Sequence, residues 1–282
     1  MKQSLPRSVG VYGGGRMGAG IAHAFLVSGV EVSLLERDTG AAAAARHRVE
    51  RSLAQAARRG VLGVDAAEHL ERLRVGEDVS QLVGVELVVE AVPEAFSLKI
   101  EVLRAAQQAA PDAVLATNTS SLSVTDLASS LERPAALIGL HFFNPVPVSD
   151  LVEIVVGGHT PDPLVDLARG WVVGLGKTGI VVRDVPGFAT SRLGVAIALE
   201  AIRMVEEGVA SAEDIDDAMT LGYRHQMGPL RTTDIVGIDV RLLIADHLAR
   251  ELGPRFDAPE LMRSMVADGA LGRKAGRGFY QW

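Results

Sequence analysis

The chain has 282 residues, enough for two domains of ordinary size, and its 48% hydrophobic and 22% charged residues are those of a globular protein with a sizeable core. A net charge of −7 disfavours nucleic acid as a general partner, because a phosphate backbone demands a cationic face. The absence of cysteine excludes disulfides, thiolate metal sites and a cysteine nucleophile, and is compatible with a reducing compartment.

Residues 1–8 run into a short apolar strand without a signal-peptide core or cleavage site, and no apolar run approaches the roughly 20 residues that span a bilayer. The expectation is a cytoplasmic protein with no membrane partner. Residues 9–12 predict a buried strand, 13–18 a tight loop, 17–27 a helix and 31–36 a second strand, a unit that opens a parallel sheet. Residues 41–59, rich in Ala and Arg, predict a helix, and 65–73 another turn or two, so that about 41–75 form a helical arm. Here Arg46, Arg48, Arg51, Arg58 and Arg59 stand against one acid, Glu50, a local exception to the acidic balance.

The alternation continues with a strand at 85–90, a helix at 98–109, a strand at 113–117, a helix at 124–131 and strands at 136–140 and 151–156. Thr160, with Pro161 at the first helical position, predicts a helix ending near Gly174 or Gly176, and residues 180–183 close the sheet. After Asp184 the pattern changes to successive helical periodicities, which places a domain boundary between residues 1–184 and 185–282. Residues 188–205 are apolar on nearly every side and predict a helix buried all round, easiest to bury at a subunit interface. Ser211 to Asp214 start a helix, and 230–252 and 259–267 predict two more.

Gly13, Gly15 and Gly18 fit G-x-G-x-x-G directly after a strand and at the start of a helix, a loop that admits a pyrophosphate to its backbone. Arg16 and Met17, within it, are further candidate cofactor contacts. Glu36 ends the second strand about 20 residues on, where a carboxylate accepts ribose hydroxyls and repels a 2′-phosphate. NAD is therefore favoured over NADP, which the adjacent Arg37 would serve.

Downstream, His141 in His-Phe-Phe-Asn-Pro and Glu153 in Leu-Val-Glu-Ile-Val-Val pair a histidine with a carboxylate in apolar surroundings. Histidine exchanges protons near neutral pH, and a carboxylate on its other ring nitrogen fixes the tautomer. On the residues alone, the alternative is a buried histidine bonded to a backbone carbonyl, with Glu153 on the outer face of a strand. His23, His47, His69, His159, His225 and His247 show no metal-site spacing.

With the glycine loop, Glu90-Ala-Val-Pro-Glu94, Asn118-Thr-Ser120, His141 to Pro145, Leu151-Val-Glu153, Met227-Gly-Pro229 and Gly272 to Tyr280 in order, the chain closely resembles the 3-hydroxyacyl-CoA dehydrogenase family over essentially its whole length. The resemblance implies an α/β fold: a Rossmann-type, doubly wound, mainly parallel sheet, followed by an all-helical C-terminal domain that dimerises. It implies reversible NAD-dependent oxidation of (S)-3-hydroxyacyl-CoA, with His141 as general acid/base oriented by Glu153. Ser120, and with it Asn118, would bond the reacting oxygen or the nicotinamide. Glu94, Lys99 and Lys274 match positions near the cofactor, while Ser52 and Arg59 match coenzyme A contacts. Asn144 is a candidate substrate contact within its motif. Ser191 stands where the family usually has a substrate-positioning asparagine, and Gln226 replaces a usual proline. Two alternatives remain: a dehydrogenase acting on a hydroxyacyl group held by acyl carrier protein, and a non-catalytic NAD-binding protein.

Overall fold

The computed structural model describes residues 5–63 and 65–282; residues 1–4, on which half of the leader reading rests, and 64, inside the arm, lie outside the described residues. The chain divides into two compact units, Met1–Asp184 and Val185–Trp282.

The first unit runs β1 (Ser8–Tyr12), α1 (Arg16–Val27), β2 (Glu31–Leu35), α2 (Thr39–Arg58), α3 (Ala66–Leu70), β3 (Leu73–Gly76), β4 (Leu87–Glu90), α4 (Phe96–Ala109), β5 (Val114–Thr117), α5 (Val124–Ser129), β6 (Leu137–Phe142), β7 (Leu151–Val156), α6 (Asp162–Gly174) and β8 (Thr178–Arg183). Its eight strands form one sheet in the order β3-β2-β1-β4-β5-β6-β7-β8. All neighbouring pairs are parallel except β6 and β7, where the chain turns back through residues 143–150. β4 and β6 are buried at every position, as strands covered by helices on both faces must be. The core joins Val9, Val11, Leu34, Val89 and Ile138 of the sheet to Ile21 and Phe25 of α1 and Leu53 of α2.

Two local readings need correction. The stretch 65–73 is one short helix, capped by Asp65, followed by the edge strand β3, whose four residues Leu-Arg-Val-Gly are too few to stand out from a helical tail. Pro161 is the N-cap of α6 and not its first residue; Thr160 instead donates its hydroxyl to the carbonyl of Leu137 at 2.9 Å, tying the loop to β6.

The second unit is helical: α7 (Thr190–Glu206), α8 (Ala212–Asp217), α9 (Pro229–Val236), α10 (Ile238–Leu252) and α11 (Glu260–Ala267). The predicted helix over 230–252 is two helices, broken at Gly237 with φ +107°, a conformation that glycine tolerates and other residues rarely adopt. Val195, Leu199 and Ile202 of α7 pack on Ile215, Leu230, Leu248 and Met262. Within one chain α7 is not buried all round: Leu193 is 63% exposed and Ile197 is also exposed. Among the described residues no helix is long and apolar enough to cross a membrane.

Candidate active site

The sheet reverses its order beside β1, with β2 on one side and β4 on the other, which opens a ligand crevice at the carboxyl ends of the strands. Three of those ends carry Gly13, Glu90 and Asn118. Gly13 has φ +98°, and a Cβ there would lie 2.9 Å from the backbone of Ala91. A Cβ on Gly18 would overlap the carbonyl oxygen of Gly13, so both positions require glycine if α1 is to start hard against β1. Gly15 is different: nothing lies within 4 Å of a Cβ placed there, so its glycine leaves open space above the backbone.

Gly15 caps α1 without a side-chain hydrogen bond, and the first turn, Arg16 and Met17 included, holds no acid. Its N–H groups are thus left for an anion, which is the cradle a pyrophosphate needs. Glu36 Oε1 accepts from the N–H of Gly14 at 2.7 Å, so the acid is held beside the loop with lone pairs to spare. Arg37 turns to Asp38 (3.0 Å) instead, a surface ion pair.

His141 and Glu153 are register partners across the antiparallel pair β6–β7. Directly opposed residues share a face of the sheet, and His141 Nδ1 lies 2.7 Å from Glu153 Oε2. The histidine is 7% exposed and the glutamate 0%, so the carboxylate lies inside and not on the outer face of its strand. An ionised carboxylate can only accept, so the proton of this bond sits on Nδ1 and the tautomer is fixed.

A second polar network lies under the loop that follows β5. Lys99, 1% exposed on α4, donates to Glu90 Oε1 (2.7 Å) and to the carbonyl of Val92 (3.3 Å), and its Nζ is 3.2 Å from Glu94 Oε2. Glu90 Oε2 accepts from the Thr117 hydroxyl at 2.7 Å. Glu94 Oε1 accepts from the Thr119 hydroxyl (2.6 Å) and from the N–H groups of Ser120 (2.9 Å) and Ser121 (3.1 Å). Burial pulls the Glu94 carboxyl upward, but the Lys99 charge and these donors outweigh it and hold it below the usual carboxylate range. Asn118 Oδ1 accepts from the N–H of Phe142 at 2.9 Å, fastening the same loop to the residue after His141. Glu94 and Lys99 therefore act first on Ser120: they fix its backbone.

On the other side of α1 lies a cavity of about 660 Å³ between α1, α2 and residues 144–148. It is lined by Ser52, Arg59 and Asn144, together with Arg16, Arg48 and Arg51, and by no acidic residue. Arg48 also donates to the carbonyl of Gly14 at 3.2 Å, joining this cavity to the glycine loop. Lys177 braces the wall, donating to the carbonyls of Val146 (2.7 Å) and Ser149 (2.6 Å).

Two candidates belong to the second unit. Ser191 is the second residue of α7, half-buried, three residues after Phe188, which with Gly187 lies at positive φ. Lys274 Nζ lies 2.6 Å from the carboxylate of Asp239. Gln226 is exposed in the loop before α9.

Known proteins resemble this chain in sequence and fold. The family model for the NAD binding domain of 3-hydroxyacyl-CoA dehydrogenase matches residues 8–185, and that for its C-terminal domain matches residues 187–282. The chain belongs to the 3-hydroxyacyl-CoA dehydrogenase family. A 3-hydroxybutyryl-CoA dehydrogenase of Mycobacterium tuberculosis is 40% identical, covering 100% of each chain. The mitochondrial hydroxyacyl-coenzyme A dehydrogenase of Sus scrofa is 37% identical over 100% of this chain and 93% of its own. A solved (S)-3-hydroxybutyryl-CoA dehydrogenase from Ralstonia eutropha superposes with a TM-score of 0.94 at 37% identity, covering 98% of this chain and 99% of that one.

Sequence reasoning did not assign separate roles to Glu90 and Thr117. The signal for Glu90 was present, a charged residue closing the apolar run Leu-Val-Val, and the physics of an unpaired buried charge demands a partner such as Lys99. His23 was set aside for lack of metal spacing, yet it lines the arginine-rich cavity.

Proposed function

We propose that this member of the 3-hydroxyacyl-CoA dehydrogenase family is an NAD-dependent (S)-3-hydroxyacyl-CoA dehydrogenase that interconverts the 3-hydroxyacyl thioester and its 3-keto form. The observation that carries this reading is the buried His141–Glu153 pair, 2.7 Å apart, on the sheet whose glycine cradle fits a dinucleotide. When bound, NAD supplies the acceptor for the hydride that leaves C3. His141 Nε2 takes the proton of the C3 hydroxyl as the carbonyl forms, and returns it in the reverse direction. Glu153 stabilises the imidazolium through Nδ1 without exchanging a proton itself, as the acid of a Ser-His-Asp triad does. Ser120 donates to the reacting oxygen from a backbone held by Glu94.

Gly13, Gly15, Gly18 and the first turn of α1 hold the pyrophosphate, and Glu36 takes the adenosine ribose. The cavity beside α2 takes the nucleotide end of coenzyme A, with Ser52, Arg59 and Asn144 as contacts, since four arginines without an acid favour phosphates. Ser191 is shorter than an asparagine, so positioning of the thioester falls more heavily on the remaining groups. The exposed Leu193 and Ile197 of α7 support a homodimer formed through the second unit. The reading includes a cytoplasmic enzyme with no nucleic-acid or membrane partner.

The test is a panel of 3-hydroxyacyl thioesters of increasing length, on CoA and on acyl carrier protein, with NAD and NADP in parallel and NADH absorbance as readout. CoA thioesters are turned over with NAD. Turnover of carrier-bound forms alone would replace the substrate, and NAD binding without any turnover would remove the enzyme reading.

A further inference from the structure

The geometry points to His23 as a positioning residue of the arginine-lined cavity: it fixes the Ser52 hydroxyl toward the nucleotide end of a CoA thioester, and so sets the preference for CoA over thioesters that lack the nucleotide. This rests on the substrate reading above and deepens it.

His23 lies on α1 and is 4% exposed, yet it lines the cavity. Its Nδ1 is 3.0 Å from the Oγ of Ser52 on α2, the direct polar link between the two helices at this point. One turn earlier, a Cβ on Gly20 would lie 2.9 Å from the Cβ of Val146, so α1 packs directly on the 144–148 wall and no side chain fits between them. His23 is thereby held where four arginines surround the space, and its role differs from theirs. Guanidinium groups on long stems supply charge for phosphates, whereas a ring fixed between two helices supplies direction.

The environment keeps the ring uncharged. Burial, together with the nearby His69 on α3 and Lys177 before β8, pushes the imidazole down to about 4. At neutral pH it therefore offers one donor and one acceptor. When Nδ1–H donates to Ser52 Oγ, the hydroxyl hydrogen is directed to the ligand; in the other tautomer Oγ is an oriented acceptor. In both, the hydroxyl no longer rotates freely, and a ligand group finds it already placed.

The experiment compares a 3-hydroxybutyryl thioester of CoA with one of N-acetylcysteamine, which lacks the nucleotide, and measures binding of CoA itself by calorimetry. In His23→Ala, kcat/KM for the CoA thioester falls about tenfold through KM, and CoA binds about tenfold more weakly, the scale of one oriented hydrogen bond. The N-acetylcysteamine thioester loses less than about twofold, and His23→Gln, uncharged and able to reach Ser52, restores most of the loss. Ser52→Ala matches His23→Ala, and the double variant is no weaker than either, which also tests the pair if His23→Ala folds poorly. Equal losses on both thioesters, additive effects, or unchanged CoA binding would overturn the inference. If the wild type binds CoA but turns over no hydroxyacyl thioester, the dehydrogenase reading fails while the binding arm still decides the role of His23.

Discussion

Glu153 in the first unit and Asp234 in the second are both fully buried carboxylates, and they are used in opposite ways. Glu153 is bonded to an imidazole, a partner that can gain a proton and become a cation. Asp234 accepts from the N–H groups of Phe279 (3.0 Å) and Tyr280 (2.9 Å) and from the indole of Trp282 (2.8 Å), donors that do not change charge. On the function proposed above, the difference separates a group for chemistry from an anchor. A buried anion beside a titratable partner stabilises a state that exists only during reaction; one beside fixed dipoles stabilises the fold at all times. The anchor also dictates sequence: a Cβ on Gly278 would overlap Asp234 Oδ1 and one on Gly272 would overlap its carbonyl oxygen. These tail glycines are required by the close approach of Asp234.

The largest effect that sharpens this contrast is on His141. Changing it to Ala or Gln removes the base, and kcat falls about 10³–10⁴-fold, while NAD affinity by titration stays within about twofold. Near-wild-type turnover would break the assignment. Glu153→Gln keeps size and hydrogen bonding but not charge, so the imidazolium loses its partner and kcat falls about 10²-fold with little change in thermal midpoint. A drop in stability without a drop in kcat would make Glu153 an anchor like Asp234.

Asp234→Asn is the converse. Its amide turns N–H groups toward N–H donors, costing about 2–3 kcal/mol and lowering Tm by roughly 5–10 °C by calorimetry. At 20 °C its kcat stays within about threefold, because the lost bonds act on the fold and not on the proton transfer. Glu36→Ala tests a third use of a carboxylate, on a ligand: NAD binding weakens about tenfold and kcat at saturating NAD is kept.

How much of this was legible in the residues differs from place to place. The strand, glycine loop, helix and acid from Val9 to Glu36 are local in sequence, and Gly13 and Gly18 each have a steric reason, so the crevice could be read directly. His141 and Glu153 are twelve positions apart, and the family motifs named them as a pair, but their opposition follows from the antiparallel turn-back of β6 and β7, which the apolar runs do not announce. β3 was missed because its edge strand is four residues long and buries only Leu73 fully. The break at Gly237 was missed because apolar periodicity runs through it on both sides. Asp234 with residues 279–282, and His23 with Ser52, 29 positions away, are brought together only by folding. No spacing in the sequence announces them.

His23 offers the finest test, since it lies between the two uses: an imidazole like His141, yet given a structural partner and no proton transfer, like Asp234. Its folded value of about 4 is below the ordinary 6.5 of histidine, because burial opposes its protonation first, with further contributions from the neighbouring His69 and Lys177, and the remaining charged groups around the cavity are arginines. A depressed histidine is neutral in the fold, so the unfolded chain binds the proton first as pH falls. The stability associated with this group is therefore fully present above pH 6.5, declines as pH falls from 6.5, and is lost once pH passes below about 4. His23→Gln has no proton to take up and removes that component. Urea midpoints between pH 7 and pH 4 fall less steeply for His23→Gln than for the wild type, and the two curves converge in slope above pH 7. Parallel curves over the whole range would mean that His23 takes up its proton at the same pH in the folded and the unfolded chain, and the buried, uncharged setting assigned to it beside Ser52 would fail with that result.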